Sequence, residues 1–238
     1  MNRVRRAATA RRLVSHQTAV VHRLASLLLA YPTSDLIALL PVLRAASLEL
    51  PGRDREPFTE LFDHLGARPL VDLQAEYVET FDLRRRCSPY LTYYAYGDTR
   101  KRGVALVEFK QAYRRAGFEM TGDAGSAELP DHLGVVLEFC SSDDAEAQEA
   151  GIGLLLAHRA GLELLRLALA DAGSPYASVL VAVCATLPPL AGEDRAAVAK
   201  LAAEGPPDED VGLEPFAPPS YMPAARHPVP LPIPGART

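Results

Sequence analysis

The stretch "AELPDHLGVVLEFCSS", residues 127–142, places a proline, an acid and a histidine directly ahead of an apolar run. The apolar residues of this run recur at the spacing of one buried helix face: Leu133, Val136, Leu137 and Cys140. Pro130 or Asp131 is predicted to begin the helix, because proline is tolerated in the first turn and an acid complements the positive helix end. On this interpretation Asp131 accepts backbone N–H groups. His132 stays neutral near pH 7 and forms a hydrogen bond to the other half of the protein.

The same helical periodicity extends over most of the chain, and no window of strand length sustains a two-residue alternation. The sequence therefore predicts an all-α protein, a single helical-bundle domain over residues 16–204 with about nine helices in two packed halves. Residues 118–128 have no apolar stripe and contain clustered turn formers, which predicts a hinge loop between the halves. Residues 1–15, rich in arginine, are expected to be flexible. Residues 205–238 are rich in proline and are expected to form a flexible tail.

Length, composition and net charge argue against several classes of protein. With 238 residues, 48% of them hydrophobic, the chain is long and apolar enough to bury a core. The net charge is −5 although five arginines lie in the first twelve residues, so the rest is more acidic still and nucleic acid is not an expected partner. Three widely spaced cysteines suit a reducing compartment. The apolar run at residues 24–30 is at the short limit of a secretory signal, and no cleavage pattern follows it. The other apolar runs are too short for a membrane span, so a cytoplasmic protein without stable membrane insertion is predicted.

No set of residues points to catalysis or a bound cofactor. The six histidines contain no pair at metal-ligand spacing, so neither a metal nor another cofactor is expected. An enzyme or metalloprotein built on Asp131 and His132, with Glu128 as a partner, is the alternative from another class. It lacks a nominated orienting group and oxyanion site, and the chain is therefore predicted not to be an enzyme.

Binding of another protein is better supported. Two basic clusters, residues 84–86 and 100–102, flank the tyrosine-rich "YLTYYAY" at 90–96. Tyrosine and arginine together are typical of protein interfaces, because both combine apolar contact with directional hydrogen bonds. A groove that accepts an amphipathic helix of a client protein fits this composition. A helical adaptor or regulator of an unrelated client remains an alternative.

Three stretches in order resemble the NarJ family of nitrate reductase assembly chaperones: "LQAEYVETFD" (73–82), "YGDTRKRGVALVEF" (96–109) and "ELPDHL" (128–133). This family is grouped with the TorD and DmsD chaperones of molybdoenzymes. The stretches "LLLAYP" (27–32) and "SPYASVL" (174–180) fit the same pattern.

The resemblance implies a TorD-like helical fold and a chaperone function. Such a chaperone binds the apo catalytic subunit of a respiratory nitrate reductase through the N-terminal segment of that subunit. It holds the subunit until the molybdenum cofactor is inserted and the membrane anchor is joined. Molybdenum cofactor delivery proteins are further candidate partners.

The family pattern also suggests client-binding residues. The Asp-His step of the family falls on Asp131–His132, and its Gly-Asp-Thr-Arg turn falls on residues 97–100, with Tyr96 where a histidine is often found. Together with the aromatic and basic residues, the predicted client-binding set is Tyr77, Phe81, Tyr90, Tyr94, Asp98, Arg100, Arg102, Pro130, Asp131 and His132.

Overall fold

The computed structural model describes residues 3–120, 128–190 and 192–204. These residues form twelve α-helices: α1 Arg3–Leu13, α2 His16–Leu28, α3 Ser34–Ser47, α4 Gly52–Ala67, α5 Leu70–Tyr77, α6 Tyr93–Tyr96, α7 Arg100–Arg115, α8 Leu133–Cys140, α9 Ala145–Ala157, α10 Arg159–Asp171, α11 Tyr176–Ala185 and α12 Glu193–Glu204. A π-helical turn, Val78–Asp82, continues α5, and a 3₁₀ turn covers Arg85–Cys87. The described residues contain no strand, so the all-α prediction is confirmed.

Side-chain caps and apolar faces explain several of these helices. Ser15, Thr33 and Asp144 each accept a backbone N–H at the start of α2, α3 and α9, which satisfies donors that the helix itself leaves unpaired. The buried face of α4 is spaced as the sequence predicts: Phe58, Leu61, Phe62 and Leu65. Local capping and the burial of one face together account for these helices.

One core joins segments from both sides of residues 118–128. Helix α2 packs on α8, α4 packs on α11, and α9 lies against both α1 and α8. The largest fully buried side chains come from across the chain: Phe58, Phe62, Phe109, Leu137, Ile152 and Tyr176. The two sequence halves therefore interleave around a shared core.

The helix count exceeds the predicted nine in part because one long predicted helix is divided. The apolar pattern between residues 143 and 172 continues without a break, but His158 leaves the helical conformation with φ −108° and ψ 24°. That residue ends α9 and precedes α10, and its ring packs on Phe109 with centroids 5.2 Å apart. A tertiary contact accompanies the break, and the sequence pattern carries no sign of it.

The Arg-rich start corrects a second prediction. A flexible segment was expected for residues 1–15, but Arg3–Leu13 form α1, which packs on α9 with Ala10 fully buried. Most of the predicted hinge, residues 121–127, lies outside the described residues, as does the predicted tail. None of the helices in the described part of the chain combines the length and the apolar character needed to cross a bilayer.

Candidate functional site

Asp131 lies in the turn before α8 and is fully buried. Its Oδ2 accepts hydrogen bonds from the backbone N of Thr92, at 3.2 Å, and from the Thr92 hydroxyl, at 2.5 Å. Its backbone carbonyl accepts from Leu91 N at 3.1 Å. Burial of a carboxylate is costly unless hydrogen bonds replace water, and these bonds supply that compensation. Asp131 thus fixes the segment around Thr92 against the start of α8.

Further bonds hold the same two segments side by side. Leu133 N donates to Pro89 O at 2.8 Å, and Tyr90 pairs with His132 in an isolated antiparallel bridge. The Tyr113 hydroxyl of α7 donates to Pro130 O at 2.5 Å. Residues 89–92, the turn before α8 and helix α7 therefore form one connected unit, which we call the Asp131 latch.

Arg102 of α7 brings a cation to the latch. Its Nε donates to Thr92 Oγ1 at 3.2 Å, and its Nη2 lies 3.7 Å from Asp131 Oδ2. Its Nη1 donates to the exposed Asp98 at 3.0 Å. Asp131 Oδ1 and Arg102 Nη2 are buried and have no hydrogen-bond partner in the described part of the chain. The pair is thus held in place by Thr92 more than by direct contact.

His132, rather than the predicted Asp131, is the N-cap of α8. Its Nδ1 accepts a hydrogen bond from Gly134 N at 3.2 Å. Accepting this bond requires an unprotonated nitrogen. Burial lowers the pKa of His132, and this effect outweighs the opposing attraction of Glu128 and Asp131. The expected neutral state agrees with this direction. The Asp131 side chain forms the hydrogen bonds to the distant segment at Thr92. The His132 side chain instead bonds to the nearby Gly134, and its ring makes an edge contact with the Tyr90 ring.

Four residues of the predicted client-binding set lie at or near the surface beside the latch. Tyr90 is half-buried, Asp98 and Arg100 are exposed, and the Arg102 side chain retains 15% exposure. The Arg102 guanidinium lies 5.3 Å from the centroid of the Tyr90 ring. This distance is that of a cation–π contact. Burial, with Glu128 nearby, raises the pKa of Tyr90 to about 12. We call Tyr90, Asp98, Arg100 and Arg102 the Tyr90–Arg102 surface.

The structure places three other predicted contact residues in the interior. Tyr77 and Phe81 pack together with ring centroids 4.6 Å apart, and the Tyr77 hydroxyl donates to Leu29 O at 3.1 Å. The Tyr94 hydroxyl donates to two backbone carbonyls, those of Arg86 and Ser88. All three side chains, like that of Pro130, are buried. In this conformation they support neighbouring segments and are not surface anchors, because aromatic residues serve cores as readily as interfaces.

Sequence reasoning missed the role of Thr92 and the hydroxyl contact of Tyr113. The one available signal was a threonine inside an aromatic run, since a buried hydroxyl needs a partner. Sequence reasoning also left open a reaction centre at Asp131 and His132. The two side chains instead face Thr92 and Gly134, respectively. Among the residues that the structure covers, no group of three or more His, Cys, Asp or Glu side chains could hold a metal ion.

The fold and the site define an all-helical protein whose candidate site is a hydrogen-bonded latch beside a tyrosine–arginine surface. Residues 48–182, more than half of the chain, match the family model described as nitrate reductase delta subunit. The chain therefore belongs to this family, in agreement with the resemblance seen in the sequence.

Individual relatives extend this assignment. Nitrate reductase-like protein NarX of Mycobacterium tuberculosis is 39% identical over 171 residues, which cover 70% of this chain and 24% of the relative. The probable nitrate reductase molybdenum cofactor assembly chaperone NarJ of Bacillus subtilis is 35% identical over 123 residues, 51% of this chain and 65% of the relative. NarJ of Escherichia coli is 36% identical over 95 residues, 40% of this chain and 39% of the relative. The chain thus spans about a quarter of the length of the mycobacterial relative.

The names of these relatives bear on the predicted absence of catalysis. The Bacillus and E. coli proteins are named as assembly chaperones, and with the family match they confirm the prediction that the chain is not an enzyme.

Proposed function

We propose that this chain is a system-specific chaperone of a nitrate reductase. It binds the apo catalytic subunit through the N-terminal segment of that subunit and holds it in the cytoplasm for molybdenum cofactor insertion and assembly. Molybdenum cofactor delivery proteins interact with the chaperone while the client is bound. The observation that carries this proposal is the family match over residues 48–182, together with relatives named as molybdenum cofactor assembly chaperones.

The Tyr90–Arg102 surface is the proposed contact region for the client. Tyr90 and Arg102 offer an aromatic face and a cation, and Arg100 opens the same helix, α7. Val104 and Val107, three residues apart on that helix, are 70% and 49% exposed. These valines follow Arg100 by four and seven residues and so share its exposed face of α7, where apolar side chains beside a cation suit an amphipathic client helix.

The Asp131 latch contributes rigidity to this surface. Asp131 bonds Thr92, and Thr92 in turn accepts from Arg102, so the two sides of the surface are fixed before a client arrives. A surface that is already ordered loses less conformational entropy on binding. Asp131 and His132 therefore act on the client by positioning Tyr90 and Arg102. Tyr77, Phe81 and Tyr94 act in the same way from the core.

Calorimetric titration with a synthetic peptide tests this proposal. The peptide covers the N-terminal residues of the nitrate reductase catalytic subunit from the same source. We expect saturable 1:1 binding that weakens about tenfold or more in Tyr90→Ala and Arg100→Ala, because interface tyrosines and arginines carry much of the binding energy. Arg53→Ala, at a side chain that is 87% exposed on α4, is the matched control and leaves the affinity unchanged.

Two results would contradict the proposal. Equal weakening by Arg53→Ala would show that general charge, rather than this surface, attracts the peptide. No heat at high micromolar peptide would favour the alternative of a helical adaptor for an unrelated client.

A further inference from the structure

A groove lies beside the contact between α1 and α9, and residues of α1, α7 and α9 line it. This groove is open to solvent and has a volume of about 860 Å³. Helix α1 contributes Arg6 and Ala7 to its lining. The other lining residues belong to α7 and α9, so α1 forms one wall of the groove while it packs on α9.

The part of the groove formed by α7 and α9 has an apolar floor and an acidic rim. Its floor includes Ala112, Ala150 and Leu154, and its rim carries Glu108, Glu146 and Glu149, with Arg115 as a basic member. Small side chains allow a helix to approach closely, and three carboxylates favour a cationic partner.

Helix α1 has the matching chemistry. It carries five arginines and no acid within eleven residues: Arg3, Arg5, Arg6, Arg11 and Arg12. Its small side chain Ala10 is fully buried towards the body. Helix α1 is therefore complementary in charge to the acidic groove, and its alanine suits the small residues of the groove floor.

The attachment of α1 is nevertheless incomplete. Ala10 is buried, but Arg5, Ala7 and Arg11 are exposed. The Nε of Arg6 is buried without a hydrogen-bond partner in the described structure, which costs free energy. The open groove also leaves one side of α1 without a packing partner, unlike a helix of the core. The unpaired Nε of Arg6 and the exposed side chains mean that α1 gains less from burial than the helices of the core.

We propose that α1 is a displaceable wall of the groove between α7 and α9, and that the groove receives a basic amphipathic helix of a partner protein when α1 leaves. The partner helix resembles α1 in chemistry, with arginines around a small apolar face. This arrangement limits binding until a helix of higher affinity competes with α1. It concerns a surface separate from the Tyr90–Arg102 surface and stands whether or not the client is a nitrate reductase.

A fluorescent peptide with the sequence of residues 3–14 is the probe, and fluorescence anisotropy reports its binding to the full chain. Ala10→Asp places a charge at the buried contact and releases α1. Ala8→Asp makes the same change at an exposed position of the same helix and is the matched control. We expect the peptide to bind the Ala10→Asp chain at least tenfold more tightly than the unchanged chain or the control.

Two further variants locate the site and guard against misfolding. In the Ala10→Asp background, Glu146→Lys with Glu149→Lys should weaken peptide binding at least tenfold. Arg6→Glu, at a half-buried position, should increase peptide affinity without any change at Ala10, and circular dichroism checks that each chain is helical.

Several results would overturn the proposal. One is equal affinity of the peptide for the unchanged, Ala8→Asp and Ala10→Asp chains. Another is peptide binding that does not change with Glu146→Lys and Glu149→Lys. Equal binding of a scrambled peptide without the small apolar face would show simple charge attraction. Dimerisation of the unchanged chain that disappears in Ala10→Asp would assign the groove to α1 of a second copy.

Discussion

The carboxylate of Asp131 and the threonine at position 92 are 39 residues apart in sequence and joined by two hydrogen bonds, at 3.2 Å from the backbone N and 2.5 Å from the hydroxyl. The first residue precedes α8, and the second precedes α6. This relationship ties together two chain segments that no regular secondary structure connects. It also explains why an acid can be fully buried next to a surface rich in tyrosine and arginine.

Replacement of Asp131 should strongly destabilise the fold. Asp131→Ala leaves the Thr92 donors without their buried acceptor and the Arg102 guanidinium without its buried counter-charge, and removal of one partner of a buried charged pair costs about 3–5 kcal/mol. Urea denaturation followed by circular dichroism measures the change. Asp98→Ala removes the other acid that contacts Arg102, but the Asp98 side chain is 63% exposed. The loss in this variant should therefore be below about 1 kcal/mol. Equal losses in the two variants would show that the latch contributes no more than a surface ion pair.

Stability should fall as the pH decreases from about 6.5 towards 4. Burial lowers the pKa of His22 to about 4, and that of His158 to about 4. An unfolded imidazole titrates near about 6.5. Between these values the unfolded chain binds protons that the folded chain does not. Stability is therefore complete above the unfolded pKa and declines by about 1.4 kcal/mol per pH unit for each such histidine. The lowered pKa of His132 acts in the same direction.

Urea unfolding between pH 4.5 and 7.5 checks this dependence. His22→Asn and His158→Asn should each reduce the slope of stability against pH, whatever they do to stability at neutral pH. Slopes identical to that of the unchanged chain would contradict the assignment of these two rings as buried and neutral.

Two glycines of α9 should respond in opposite ways to alanine. A Cβ at Gly151 would lie 2.7 Å from Cys140 Sγ and 3.0 Å from the backbone N of Cys140, whereas a Cβ at Gly153 meets nothing within 4 Å. Gly151→Ala should destabilise by about 1–3 kcal/mol, because α8 and α9 would have to separate. Gly153→Ala should be neutral or stabilise by up to about 1 kcal/mol, since alanine has the better helix propensity. Thermal unfolding of both variants measures the contrast, and similar shifts would argue against close packing at Gly151.

Much of the fold follows from local sequence. The apolar spacing at 133–140 predicts α8 and its buried residues, because one face of a helix must be covered. The helix at residues 3–13 could not be predicted in this way. Its arginines give no apolar stripe, and its place depends on contact with α9. The division at His158 likewise follows a contact with Phe109 that is distant in sequence.

The candidate site shows the same limit. Asp131 and Arg102 carry charges and were singled out by their chemistry. The partner that joins them, Thr92, is an ordinary residue until the fold brings it to Asp131. The burial of Tyr77 and Tyr94 could not be predicted from the sequence either. Tyrosine suits an interface, and it also suits a core in which its hydroxyl can donate to a backbone carbonyl.

The molybdenum content of nitrate reductase in cells tests the central claim most directly. The gene for this chain is deleted in its source, the catalytic subunit is purified, and its molybdenum is measured together with nitrate reduction. We predict subunit that is present but lacks molybdenum and activity, with both restored by the unchanged chain or Arg53→Ala and restored less well by Tyr90→Ala with Arg100→Ala. Normal molybdenum content in the deleted strain would contradict the assignment of this chain as an assembly chaperone of nitrate reductase.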